Sequence, residues 1–246
     1  MEREQYERLA AVEDRMWWFG GLHANLLAAC RAARGSGGTS VRPRVLDAGC
    51  GTGGFLTRLA ASAADADAFG LELDAVACGV ARAKSRCPVA VGTINALPFA
   101  DQSFDVIVSA DVLCHAGVEE RAALAGLRRC LRPGGVLVLN LPAYRWLYSA
   151  HDVAVDNARR YDRKELLMLL ADTGFSAVQA RYWNFVLFPL MLLRRKLLRS
   201  DEAEVALLPA AVEQFFAACL AFERGLVASG IRLPFGGSIL ATAVRT

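Results

Sequence analysis

The sequence predicts an α/β fold, a doubly wound and mainly parallel sheet of seven strands, and three observations carry that prediction. From Arg44 onward short apolar runs alternate with helical stretches, the pattern of a parallel sheet covered on both faces. The first of these runs ends in an acid and a glycine-rich turn, Val45-Leu-Asp-Ala-Gly-Cys-Gly-Thr-Gly-Gly-Phe55, which opens a helix. The length, 246 residues with 54% apolar, suits one large α/β domain or one domain with an insertion.

In chain order, residues 2–34 read as two helices separated near Gly20-Gly21, followed by a flexible joint, Gly35–Ser40. Strands are expected at 44–48, 67–72, 88–92, 104–109, 135–141 and 175–183, with Ile239–Val244 closing the sheet. Helices are expected at 54–63, 75–85, 119–131 and 162–172. Pro133-Gly134-Gly135 ends one helix and turns into the next strand. Between about 184 and 236 lie two apolar helical candidates, Phe185–Leu198 and Val205–Val227, the first broken near its start by Phe188-Pro189. The expected organisation is a helical lid at 1–40, a core at 41–183 and 237–246, and a helical insertion at 184–236 that forms an acceptor pocket or a dimer interface.

Composition excludes some classes. The net charge is +3 and no basic block exceeds Arg194-Arg195-Lys196, so nucleic acid is not indicated. Seven cysteines without a Cys-x-x-Cys pair read as reduced thiols in a cytoplasmic protein that holds no metal. The N-terminus is charged and does not read as a secretion signal. No apolar run reaches the ~18 residues that would cross a bilayer.

The chemistry begins at the glycine turn. Gly49, Gly51 and Gly53 allow positive φ and let a ligand approach the backbone amides, with Cys50 between them. Asp47 would repel a pyrophosphate there. It suits a ligand with an ammonium group, such as the methionine part of S-adenosylmethionine. Glu72, about 20 residues further on, stands at the carboxyl end of the second strand, where a carboxylate accepts from ribose hydroxyls. Leu73 follows it, and Asp74 is read as a helix N-cap.

These residues, with Gly-Leu-Glu-Leu-Asp at 70–74, Leu-Pro-Phe at 97–99, Ser-Phe-Asp-Val-Ile-Val-Ser at 103–109 and Leu-Arg-Pro-Gly-Gly at 131–135, resemble the class I S-adenosylmethionine-dependent methyltransferases. The likeness is to the type 11 group, and to a subgroup with Trp-Trp-Phe near the N-terminus, here 17–19. It implies a Rossmann-like methyltransferase fold with S-adenosylmethionine as cofactor and S-adenosylhomocysteine as product. It also implies cofactor contacts from Thr93, Ile94 and Asn95 after the third strand and from Ala110 at the end of the fourth. The chain departs from the group in three places. Thr93 stands where an acid often meets the adenine, Leu22 and His23 where an arginine often lies, and Asn157 where a histidine is common.

His115 follows the fourth strand where the family usually has a histidine, and its readings are a general base, a pocket wall or a structural residue. The loop Pro142–Tyr161 is long for a compact domain and rich in aromatics. There His151 beside Asp152 reads as an oriented base or as part of an ion-pair network with Arg160. Trp17, Trp18, Tyr144, Tyr148, Arg160, Tyr161 and Trp183 are the expected acceptor contacts, Trp17 and Trp18 forming either a lid or a helix-packing surface. Tyr6 joins either arrangement.

The function expected is methyl transfer to an O, N or C atom of a hydrophobic or aromatic small molecule. The alternatives are a lipid-linked acceptor reached by peripheral contact of Leu187–Leu198 with a membrane, and a binding or assembly subunit on the same fold. A homodimer through the insertion is a third use of its apolar surface.

Overall fold

Apolar residues of alternating parity line opposite faces of the sheet, because successive strand side chains point to opposite sides. Val45, Val106, Val108, Val136 and Val138 belong to one core cluster, and Leu46, Ile107, Leu137 and Leu139 to the other. The computed structural model describes residue 10 and residues 12–35, 42–62, 66–197 and 207–246. The parallel strands are β1 (Arg44–Ala48), β2 (Asp67–Glu72), β3 (Val89–Val91), β4 (Phe104–Ala110) and β5 (Leu131–Pro142). Strands β6 (Phe175–Trp183) and β7 (Ser238–Arg245) complete a seven-stranded sheet of order β3-β2-β1-β4-β5-β7-β6. Only β7 runs against its neighbours, paired antiparallel to both β5 and β6. The expected doubly wound, mainly parallel sheet is therefore the observed one. Its strand order reverses between β1 and β4, and the crevice at their carboxyl ends is where such folds take ligands.

One face is covered by α1 (Trp17–Gly35), α2 (Gly54–Ser62) and α3 (Ala75–Ser85), the other by α4 (Glu120–Cys130) and α6 (Arg163–Asp172), with the short α5 (Ala150–Ala154) between them in sequence. The insertion before β7 contains α7 (Phe188–Leu197) and α8 (Ala210–Ala228). Helix α1 buries Leu22, Leu26, Ala29 and Cys30, one stripe at helical spacing. The Glu213 carboxylate of α8 accepts the Trp17 amide at 2.7 Å and so caps the start of α1.

Two local expectations are corrected. Gly20-Gly21 does not separate helices, because α1 runs through both. Gly21 serves packing instead: a Cβ there would stand 2.2 Å from Leu220 Cδ1 of α8. The strand expected at 135–141 begins earlier, at Leu131, with Pro133-Gly134-Gly135 accommodated by a register shift opposite Phe104 and Val106. Tyr6, most of the expected first helix and residues 36–40 of the expected joint lie outside the described residues, as do Leu198, Arg199 and the first two residues of the Val205–Val227 candidate.

Candidate active site

The glycine turn is built by close approach. The amides of Gly49 and Cys50 both donate to Leu71 O, at 2.8 and 2.9 Å, which ties the end of β1 to β2. Gly49, Gly51 and Gly53 all have positive φ, of 90°, 54° and 85°. A Cβ on Gly49 would strike Val112 of the β4 loop at 2.2 Å, and one on Gly53 would strike the Ala81 backbone of α3 at 2.9 Å. Around Gly51, by contrast, nothing described lies within 4 Å of that position. The turn is thus pressed from two sides and open at its middle.

Two carboxylates face it. Glu72 is buried and held by backbone, Oε2 accepting from Gly51 N at 2.8 Å and Oε1 from Asp74 N at 3.0 Å. Asp74 caps α3 by accepting from Val76 N and Ala77 N. Asp47 is 3% exposed, and its Oδ2 has no hydrogen-bond partner among the described residues. Burial, and then the charges of Glu72 and Glu13, push the Asp47 carboxyl up to about 8. Cys50 is buried beside it, and burial raises its thiol out of reach of ionisation near neutrality.

The other expected cofactor residues divide. Leu73 is 69% exposed and offers an apolar surface beside Glu72. Thr93 Oγ1 accepts from Asn95 N at 3.2 Å and caps a short 3-10 turn, Ile94–Ala96. Ile94 is buried in the core cluster beneath that turn. Both polar ends of the Asn95 side chain are engaged, Nδ2 donating to Gly117 O at 2.8 Å and Oδ1 accepting from Glu119 N at 2.9 Å. Ala110 is half-buried at the end of β4.

The β4 loop is bound to the long loop after β5. His115 and Asn157 form a β-bridge, and His115 Nδ1 lies 3.1 Å from Asp156 O. His151 is exposed on α5. Its neighbour Asp152 is fully buried, taking Arg160 Nε at 2.8 Å and closing a capping box with Ser149. Arg160, also buried, donates to Ala143 O as well, so this pair fastens the loop internally. Tyr161 is buried with its hydroxyl donating to Glu120 Oε1 at 2.6 Å, and Trp183 is buried with Nε1 donating to Asn140 Oδ1 at 2.7 Å. Trp17 meets Phe216 of α8 edge-on at 5.2 Å, and Trp18 packs against Trp183 at 5.9 Å. Tyr144 and Tyr148 remain accessible. Tyr144 stacks on Tyr182 at 5.3 Å and neighbours Phe188, while the Tyr148 hydroxyl donates to Asn157 O at 2.9 Å.

Sequence reasoning missed two acids. Asp111, at the end of β4, adopts φ 53°, a strained value for a residue with a Cβ. Asn140 of β5 donates to its Oδ2 at 3.0 Å. Burial pushes the Asp111 carboxyl up to about 7, against the opposing hydrogen bond from Asn140 and the charge of Arg160. Val112 next to it is the residue resting on Gly49, so Asp111 adjoins the glycine turn. Its position directly before a Val-Leu-Cys-His run was the available signal. The second acid, Glu13, lies before α1 and is buried, accepting from Thr52 Oγ1 at 2.7 Å and Lys84 Nζ at 2.5 Å. No pattern in the sequence connects it to the turn. Among the described residues no group of three or more His, Cys, Asp or Glu is arranged to hold a metal ion.

The strand order with this turn at its switch point defines the fold of class I S-adenosylmethionine-dependent methyltransferases. Residues 46–139 match the family described as the methyltransferase domain. The chain is 30% identical over 158 residues to 24-methylenesterol C-methyltransferase 2 of Oryza sativa subsp. japonica, covering 55% of this chain and 42% of that protein. It is 34% identical over 109 residues to O-methyltransferase rstn1 of Aspergillus nomiae, covering 41% and 48%. It thus spans less than half the length of either curated relative. The solved structure of an S-adenosylmethionine-dependent methyltransferase from Thermotoga maritima aligns with a TM-score of 0.62 at 18% identity, covering 99% of this chain and 96% of that one.

The residues present fit that cofactor. The unpartnered Asp47 Oδ2 asks for a cationic donor, the space at Gly51 admits a ligand against backbone, and Glu72 is fixed with carboxylate oxygens at the β2 edge.

Proposed function

We propose that the protein is an S-adenosylmethionine-dependent methyltransferase acting on a hydrophobic or aromatic small molecule. The observation that carries this reading is the buried, unpartnered oxygen of Asp47 beneath an open glycine turn. Leaving such a group unmatched costs about 1–3 kcal/mol, and a ligand ammonium recovers it. When bound, the cofactor supplies an activated methyl group for in-line displacement.

The chain's own residues then do three things. Asp47 takes the ammonium and Glu72 the ribose hydroxyls, which fixes the cofactor's orientation. The aromatic group Tyr144, Tyr182, Phe185, Phe188 and Phe235, joined by ring contacts of 4.5–5.7 Å, walls the acceptor side and excludes water. Asp111, poised near neutrality, takes a proton at Oδ1 from an acceptor hydroxyl or ammonium, Oδ2 being held by Asn140. His115 lies on the same loop and is the second candidate for that proton.

The test has two stages. Calorimetry with S-adenosylhomocysteine should give micromolar binding that Glu72→Ala abolishes. A screen of small aromatic and aliphatic hydroxyls and amines with methyl-labelled cofactor should then yield a labelled product. Absence of binding by folded, ligand-free wild type would overturn the reading in favour of a binding subunit.

A further inference from the structure

Glu13 is 4% exposed, in the turn that precedes α1. Its Oε1 accepts from Thr52 Oγ1 of the glycine turn at 2.7 Å and from Lys84 Nζ of α3 at 2.5 Å. Its Oε2 stands 2.6 Å from the position a Cβ on Gly54 would take, so the carboxylate lies directly against the first residue of α2. The charge of Glu13 reaches Asp47, where it adds to the upward shift of that carboxyl. Three carboxylates, Asp47, Glu72 and Glu13, therefore meet around one turn, and Lys84 pairs with Glu13. Lys84 is further shared with Asp14 at 2.8 Å. The three do not form a metal-holding group. One of them, Asp47, keeps a buried oxygen with no partner among the described residues.

We propose that Glu13 is the second carboxylate of the cofactor's ammonium subsite, brought to the glycine turn by the segment before α1. This rests on the cofactor reading above. The orphaned Asp47 oxygen is what a bound ammonium would partner, with the Glu13 charge close enough to act on the same site, and the Lys84 and Thr52 bonds hold Glu13 in place until the ligand arrives. Residues 12–16, which carry Glu13, thereby belong to the cofactor site, and the chemistry they read is the amino-acid end of the ligand.

The test compares two ligands by calorimetry: S-adenosylhomocysteine, which has the ammonium, and methylthioadenosine, which keeps the nucleoside and lacks the amino acid. Glu13→Gln preserves an acceptor for Thr52 and removes the charge. It should weaken S-adenosylhomocysteine about tenfold, roughly 1.4 kcal/mol, and leave methylthioadenosine within about twofold. Both ligands unchanged, or both weakened alike, would make Glu13 a structural strap and overturn the proposal. If Glu13→Gln does not fold, Thr52→Val, which removes the hydroxyl that positions Glu13, decides by the same pair of ratios. Wild type binding neither ligand would sink the cofactor reading itself, an outcome distinct from failure of the Glu13 assignment.

Discussion

Asp47 shows what folding costs a buried carboxyl with an unpartnered oxygen. Its carboxyl titrates near 8 in the fold against about 4 in an unfolded chain, so the folded state holds the proton more tightly. The sign follows: between about pH 4 and pH 8 Asp47 removes stability as pH rises, and below that window it removes none. Asp47→Asn should therefore raise the melting temperature of ligand-free protein at pH 8 and lose that advantage toward pH 5, as scanning calorimetry would record. The same proton must leave before an ammonium binds. S-adenosylhomocysteine should bind more tightly as pH rises from 6 to 8, while methylthioadenosine shows a flat profile. The sequence displayed Asp47 and Glu72 because a glycine turn and the strand after it are local patterns. It could not display Glu13, whose neighbours Thr52 and Lys84 come from the far side of a fold yet to form. Thr93 and Asn95 illustrate the reverse, since their side chains spend hydrogen bonds on their own turn and on the segment before α4.

At the scale of elements, adjacent glycines in α1 separate propensity from packing. Gly20 has nothing within 4 Å of a Cβ, while Gly21 meets Leu220. Gly20→Ala should stabilise by up to about 1 kcal/mol through helix propensity. Gly21→Ala should instead destabilise by about 1–3 kcal/mol, because Leu220 is buried and must leave its rotamer. Urea denaturation of the pair measures both. The sequence offered the two glycines as a hinge, a fair inference from composition that ignores a helix not yet visible on the other side. The loop after β5 behaves similarly. Asp152 and Arg160 read either as the support of a His151 base and an acceptor contact or as an ion-pair network, and their burial against each other makes them a structural pair. Arg160→Met should cost about 3–5 kcal/mol, since it removes the cation paired with a buried carboxylate, and the loss should appear as a lower denaturant midpoint with unchanged slope.

Over the whole molecule, most core strands and helices were legible nearly to the residue, because local apolar patterns need no partner to be seen, while β5, α1 and the insertion helices were placed less closely. The placement of β7 between β5 and β6 was not, nor was the folding of α8 onto α1, since both depend on contacts between distant segments. Ligand linkage should register across the entire fold. S-adenosylhomocysteine at about 100 times its dissociation constant should add about 2.7 kcal/mol, a rise of roughly 5–10 °C in melting temperature, absent in Glu72→Ala.

The position of β7 also sets a timetable. Until residues 238–245 are available to pair, β5 and β6 each present an open edge to solvent or to another chain. The half of the sheet that carries the glycine turn can pair in chain order, from β1 to β5, while β6 joins it only through β7. Loss of β7 alone would thus detach β6 while leaving the strands around the glycine turn with all their partners but one.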